Sequence, residues 1–120
     1  MRQLLIVLMI IFLIGCGHAR PWTSDEKILL LASCLAGVAD YYTTKRLLDE
    51  PGTRELNPII YGRPKNRTLI IFFISTQTIT TILADSFPKW RKTLLGGKCL
   101  INTSLAINNY EKRKDLTNSY

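Results

Sequence analysis

With 120 residues the chain has room for one small domain, and it carries 16 Lys and Arg against 9 Asp and Glu, a formal net charge of +7. The single histidine, His18, lies near the N-terminus, which removes His-based catalytic and metal chemistry from consideration. No glycine-rich phosphate loop, internal repeat or low-complexity tract is present.

The chain opens with Arg2, continues as an uncharged apolar run from Leu4 to Ile14, and reaches small residues around a cleavage point. Eleven apolar residues make a helix of about 16 Å, against a hydrocarbon core of about 30 Å, too short to span comfortably. The run ends in Leu13-Ile14-Gly15-Cys16, which resembles the lipobox of bacterial lipoprotein precursors. The resemblance implies a signal peptide over residues 1–15 and a diacylglycerol and an N-acyl chain on Cys16, with no other cofactor. Two alternatives stay open: an ordinary secretory signal cut after Gly17-His18-Ala19, and an uncut anchor. Without Arg2, 15 basic residues face 9 acidic ones. An exported lipoprotein meets anionic head groups first, at about 1 kcal/mol per nearby basic residue, so membrane lipid rather than nucleic acid is the expected partner.

After a tether over residues 16–27, the mature chain reads as all-α, a small bundle of about three hydrophobic helices over residues 28–110, followed by a charged tail over 111–120. Thr23 and Glu26 have the spacing of a capping box ahead of the first apolar stretch, residues 28–48. Asp49-Glu50-Pro51-Gly52 stops it and opens a connector over residues 49–67. The second stretch, residues 68–87, has no charge in its first seventeen positions, and its threonines can bond back to their own helix. It is ended by Pro88, and a third stretch runs from about Thr93 to Tyr110. A soluble bundle would show a charged face on every helix, so the second helix is expected to cross a membrane, with weaker grounds for the other two.

An acylated Cys16 on the outer side would place the first connector in the cytoplasm. Its inner flanks then hold Lys45, Arg46, Arg54, Arg63, Lys65, Arg67, Lys112, Arg113 and Lys114, against Arg20, Lys27, Lys89, Arg91 and Lys92 outside. The balance follows the positive-inside tendency, with the basic cluster at 89–92 as its awkward part. The expected location is a bacterial membrane, the inner one favoured over the outer because leaving it would expose the second helix. Cys34 and Cys99 each lie six residues in from the outer edge, about 9 Å deep, which makes them a candidate disulfide or a pair of small packing residues.

Asp40 needs a reason to exist, because a lipid-facing acid at mid-helix costs about 2.5 to 3.5 kcal/mol. It is expected to face protein, with Gln77, Ser75 and Thr78 at its level, Gln77, Thr81 and Asp85 as a stripe on the second helix, and Lys98, Asn102 and Asn109 on one side of the third. Asp40, Thr44, Gln77, Thr81 and Asn102 form a candidate polar seam, read as interhelical hydrogen bonding or as a proton or ligand site. The connector supplies a loop motif of Glu55, Asn57, Pro58 and Gly62, in which Asn57 before proline leaves helical geometry. Together with Asp40, Thr44 and Pro64, it resembles a group of small bacterial and phage-encoded membrane or exported proteins of unknown function. That resemblance implies a helical fold whose loop returns to the end of the first helix.

A sharper reading pairs Asp40 with Glu55 for acid-base chemistry, provided the loop dips back towards mid-helix. No serine, cysteine or lysine sits beside a recognisable base, so no catalytic residue is assigned. The preferred expectation is a non-enzymatic envelope lipoprotein, phage-related if the resemblance holds, that acts by contact with another envelope protein. The alternative is a small intramembrane enzyme or transport accessory using Asp40 and the seam.

Overall fold

A computed structural model describes residues 20–55 and 59–119. The expected signal peptide, Cys16, Asn57 and Pro58 fall outside them. The described residues form α1 (Ser24–Leu48), α2 (Asn66–Ser86), a short 3-10 turn (Pro88–Trp90) and α3 (Arg91–Asn118). The described residues are all-helical in their regular structure, apart from an isolated two-residue bridge in the connector.

Each helix starts and stops for a local reason. Thr23 caps α1: its hydroxyl accepts the Glu26 amide at 3.3 Å, while the Glu26 carboxylate accepts the Thr23 amide at 3.0 Å. This cap sets the start at Ser24, ahead of the apolar pattern. Asp25 and Glu26 in the first turn and Lys45 and Arg46 in the last complement the helix dipole. In α2 the hydroxyls of Thr76, Thr78, Thr80 and Thr81 donate to carbonyls three or four residues back, as the sequence suggests for an uncharged helix. The third helix outruns its expected end near Tyr110 and continues to Asn118, so most of the expected tail is helix. Arg113 is the residue that ties the extension down, donating to Glu50 Oε1 at 3.0 Å.

Most large apolar side chains lie outside, and polar ones share the interior with Leu69, Leu95 and Ile60. Ile28, Leu31, Leu35, Val38 and Tyr42 form an exposed stripe on α1, and Ile74, Ile79, Leu100 and Ile107 are exposed on the other helices. The buried set includes Glu26, Ser33, Asp40, Thr44, Arg91 and Asn102 beside small or modest apolar residues such as Ala36, Ala84 and Ala106. α2 is long and apolar enough to cross a membrane, yet only 11% of its most apolar stretch is buried. The core helix of a water-soluble protein shows the reverse.

α1 and α3 run parallel and make the most extensive contact. Their register is nearly constant: Glu26 meets Arg91 and Thr44 meets Asn109, both 65 residues apart, and Gly37 faces Asn102 at the same offset. The seam positions on α1, Glu26, Ser33, Gly37, Asp40 and Thr44, recur every three, four or seven residues, the spacing that keeps one face on a parallel neighbour. Small residues bring the backbones close. A Cβ built on Gly37 would lie 3.3 Å from Asn102 Nδ2.

The connector folds back on the end of α1. Thr53 donates its hydroxyl to the carbonyls of Leu47 and Glu50, at 2.7 and 2.8 Å. Arg63 donates to the carbonyls of Thr53 and Glu50 rather than pairing with Glu55. Glu55 and Gly62 exchange both backbone hydrogen bonds, at 2.6 and 2.9 Å. Gly62 holds φ at +95°, a value open to glycine and strained for other residues, which explains its place in the motif. Ile60 is buried beneath this turn.

Candidate functional site: a polar interior

Two polar clusters occupy the interior, one at each half of the α1 and α3 seam. The first is a clasp at the start of both helices. Arg91, with no exposed side-chain surface, donates to the carbonyls of Ala84 at 2.9 Å, Arg20 at 2.8 Å and Pro21 at 3.3 Å. It also reaches Glu26 Oε2 at 3.3 Å and Asp85 Oδ1 at 3.4 Å. Its guanidinium lies 4.6 Å from the centre of the Trp22 ring, and the Trp22 indole donates to Asp85 Oδ1 at 2.7 Å. Arg20 forms a second ion pair with Glu26. The Thr23 backbone amide is the strongest influence holding the Glu26 carboxyl below its ordinary value of 4.5; the two arginines act in the same direction, and burial opposes them.

Sequence reasoning assigned Glu26 only to a helix cap and counted Arg20 and Arg91 as flanking charges. The clasp unites all three. A signal was present: Glu26 and Arg91 have the same separation in sequence as Cys34 and Cys99, which depth counting had already matched.

The second cluster surrounds Asp40, which is 3% exposed and faces protein as expected. Asn109 Nδ2 donates to Thr44 Oγ1 at 2.9 Å, and Thr44 in turn donates to Asp40 Oδ1 at 3.3 Å. Lys98 donates to Thr76 Oγ1 at 3.3 Å and to Asn102 Oδ1 at 3.5 Å. Asp40, Thr44, Lys98, Asn102 and Asn109 line a cavity of about 250 Å³ together with Glu55, Ile60, Phe72, Phe73 and Leu105. Asp40 and Glu55 therefore share one cavity, because the Glu55 to Gly62 turn brings the connector down over it.

Two features of the expected seam are corrected. Gln77 does not sit beside Asp40; it accepts from Ser33 Oγ at 3.2 Å, higher in the bundle, and the aromatic residues of α2 take its expected place. Thr81 bonds to its own helix through the Gln77 carbonyl and makes no bond across the seam. Asp40 is served by α1 and α3. Cys34 and Cys99 share a level along the parallel helices, but both are free thiols. Cys34 faces a groove between α1 and α2 lined by Gly37, Tyr41, Ile74 and Gln77.

Two buried donors, Gln77 Nε2 and Asn102 Nδ2, lack an acceptor. Such groups cost about 1 to 3 kcal/mol each when left unpaired, so they mark the places where the interior is incomplete. Among the described residues no group of three or more His, Cys, Asp or Glu side chains is arranged to hold a metal ion. Comparison of the chain with protein-family models, with characterised proteins and with solved structures finds no match.

Proposed function

We propose that this chain is a lipid-anchored membrane protein of the bacterial cell envelope, non-enzymatic, which acts by contact with another envelope component. The observation that carries the reading is the inverted distribution of side chains, with apolar residues outside and Asp40, Thr44, Arg91 and Asn102 inside. In a bilayer both halves of that pattern are favourable: lipid solvates the outer faces, and the polar groups find partners in the interior. Residues 28–44, 68–84 and 93–110 are the parts of the three helices within the hydrocarbon, and their two charged residues, Asp40 and Lys98, line the interior cavity.

The lipobox supplies the anchor, with Cys16 carrying a diacylglycerol and an N-acyl chain. Arg20, fixed in the clasp, is four residues from Cys16, so the lipid lies within about 14 Å of the outer end of the bundle. Anchor and clasp thus belong to one leaflet, with the connector on the cytoplasmic side. Each buried methylene of the acyl chains adds about 0.8 kcal/mol. The inner membrane is the favoured location, since extraction would expose α2.

Contact is favoured over catalysis because most interior groups bond to one another. The sharing of one cavity by Asp40 and Glu55 favours a second reading, a small intramembrane enzyme or transport accessory. Fatty-acid labelling of the parent and of Cys16→Ser, followed by alkaline carbonate extraction and membrane separation, tests the proposal. The parent takes up label and stays with the inner membrane; Cys16→Ser loses the label and remains embedded through its helices. Release of the parent by carbonate with no acyl adduct in its mass would overturn it. Asp40→Asn separates the readings: a contact protein keeps its partner, whereas a proton-dependent activity is abolished.

A further inference from the structure

The basic cluster at 89–92 runs against the positive-inside tendency, and the clasp accounts for only one of its members. Arg91 is buried in the clasp, whereas Lys89 and Lys92 are exposed. With Arg20 they line an open pocket of about 720 Å³ at the outer end of the bundle, whose only acid among the described residues is Glu26. That carboxylate is 2% exposed and already shared between Arg20 and Arg91. Lys92 meets Asp25 at 3.7 Å with both side chains largely exposed, a pair that water screens, and Lys89 forms no ion pair among the described residues. Counting clasp, pocket and Asp25 together, Arg20, Lys89, Arg91 and Lys92 face Asp25, Glu26 and Asp85, which leaves one positive charge in excess. The other side of the pocket is aromatic. Phe87 and Trp90, 54% and 61% exposed, continue from it into an apolar groove of about 340 Å³ completed by Leu83 and Leu94. Leu83 and Leu94 lie at the outer limit of the helix segments assigned to the hydrocarbon, so the lysines stand in the head-group layer and Trp90 at the interface where tryptophan is favoured. A cationic pocket set directly above an apolar groove has the layout of a phospholipid rather than of a free phosphate.

We propose that this pocket holds the head group of an anionic phospholipid of the outer leaflet, a phosphodiester with no ammonium of its own, and that the groove takes one of its acyl chains. The phosphodiester brings the single negative charge that balances the excess, and Lys89 and Lys92 face its oxygens as mobile ammonium donors. Phe87 and Trp90 cover the glycerol and the start of the chain. A zwitterionic head group carries a cation into the same basic surroundings and is disfavoured by that repulsion. The proposal rests on the reading of the chain as membrane-embedded and stands whether or not Cys16 is acylated.

The test uses the purified full chain in a neutral detergent, with phosphatidylglycerol, phosphatidylcholine and glycerol phosphate as probes, read by native mass spectrometry and by thermal unfolding at constant ionic strength. Phosphatidylglycerol is expected to be retained saturably and to raise the unfolding temperature, with phosphatidylcholine and glycerol phosphate giving no comparable effect. Lys89→Gln is expected to weaken phosphatidylglycerol binding about fivefold, the usual share of one basic residue at an anionic surface. Lys27→Gln removes the same charge from an exposed outer lysine that is not part of the pocket wall, and is expected to bind as the parent does. Equal retention of phosphatidylcholine, equal stabilisation by glycerol phosphate, or equal losses in Lys27→Gln and Lys89→Gln would overturn the proposal, the last by showing that diffuse charge rather than the pocket attracts the lipid. Carbonate extraction separates it from the reading beneath it: release of the chain defeats both, whereas an embedded chain with no preference for phosphatidylglycerol defeats this proposal alone.

Discussion

Replacing Arg91 by leucine removes the hub of the outer clasp. The guanidinium is fully buried and distributes its donors over four carbonyls and two carboxylates, which belong to the segment before α1, to α1 itself and to the end of α2. Leucine fills similar space but donates nothing, so the Ala84 carbonyl, on a residue with no exposed surface, loses its side-chain donor. Breaking a buried ion pair by removing one partner costs about 3 to 5 kcal/mol. For a cooperative domain of this size, each kcal/mol moves the midpoint by about 4 to 8 °C, so the unfolding temperature is expected to fall by roughly 12 °C or more. Arg91→Lys keeps the charge but not the planar fork, and is expected to fall between the two. Far-ultraviolet circular dichroism during a thermal scan in detergent provides the measurement. An Arg91→Leu midpoint within about 3 °C of the parent would refute the argument that the clasp holds the helices together.

Thr23→Ala removes one half of the capping box and is expected to cost about 1 kcal/mol in the same thermal assay, while Thr23→Ser retains the cap. Gly37→Ala gains about 1 kcal/mol of helix propensity but crowds Asn102 Nδ2 at 3.3 Å, so it is expected to stay near the parent. Gly37→Leu has no such room, and overpacking is expected to destabilise it by about 1 to 3 kcal/mol. Glu26 titrates below 4.5 in the folded chain, so its stabilising contribution is complete above that value and is lost as pH falls through the lower folded value. Acid unfolding of the parent is therefore expected to shift to lower pH relative to an Arg20→Ala variant, in which one of the charges that lower the Glu26 value is removed. Cys34 and Cys99, both free, are expected to be alkylated after denaturation without reductant, as read by the mass of the intact chain.

Helix number, the capping box and the backbone-bonded threonines were legible because each depends on neighbours a few residues apart. Longer-range register was legible only where two helices run parallel. Counting inward from a common edge matched Cys34 with Cys99, and the same offset places Glu26 against Arg91, Gly37 against Asn102 and Thr44 against Asn109. Parallel helices starting at one level preserve that count along their whole length. The count failed for antiparallel α2, because its alignment with α1 depends on how the connector turns. Two interactions determine that turn, Arg63 reaching back to Glu50 and the Glu55 to Gly62 bridge, and neither has a local sequence signature strong enough to set a register. Gln77 consequently lies opposite Ser33 rather than Asp40.

The same turn accounts for what was least legible in the site. Asp40 as a buried acid followed from the cost of exposing it to lipid, but its neighbours did not, because Glu55 reaches the cavity only through a fold-back of the chain that the helices alone do not dictate. Gly62 connects the two. Its positive φ lets Glu55 and Gly62 pair, and that pairing holds the connector over the end of α1. A substitution there would strain the bridge and displace Glu55 while leaving the helices intact, since a Cβ at that position meets no other atom within 4 Å. Gly62→Ala is therefore expected to leave helix content unchanged by far-ultraviolet circular dichroism and to lower thermal stability by about 1 to 2 kcal/mol, the cost of a left-handed backbone for a residue with a Cβ. A Gly62→Ala midpoint equal to the parent's would mean that the bridge forms without the positive φ that Gly62 supplies.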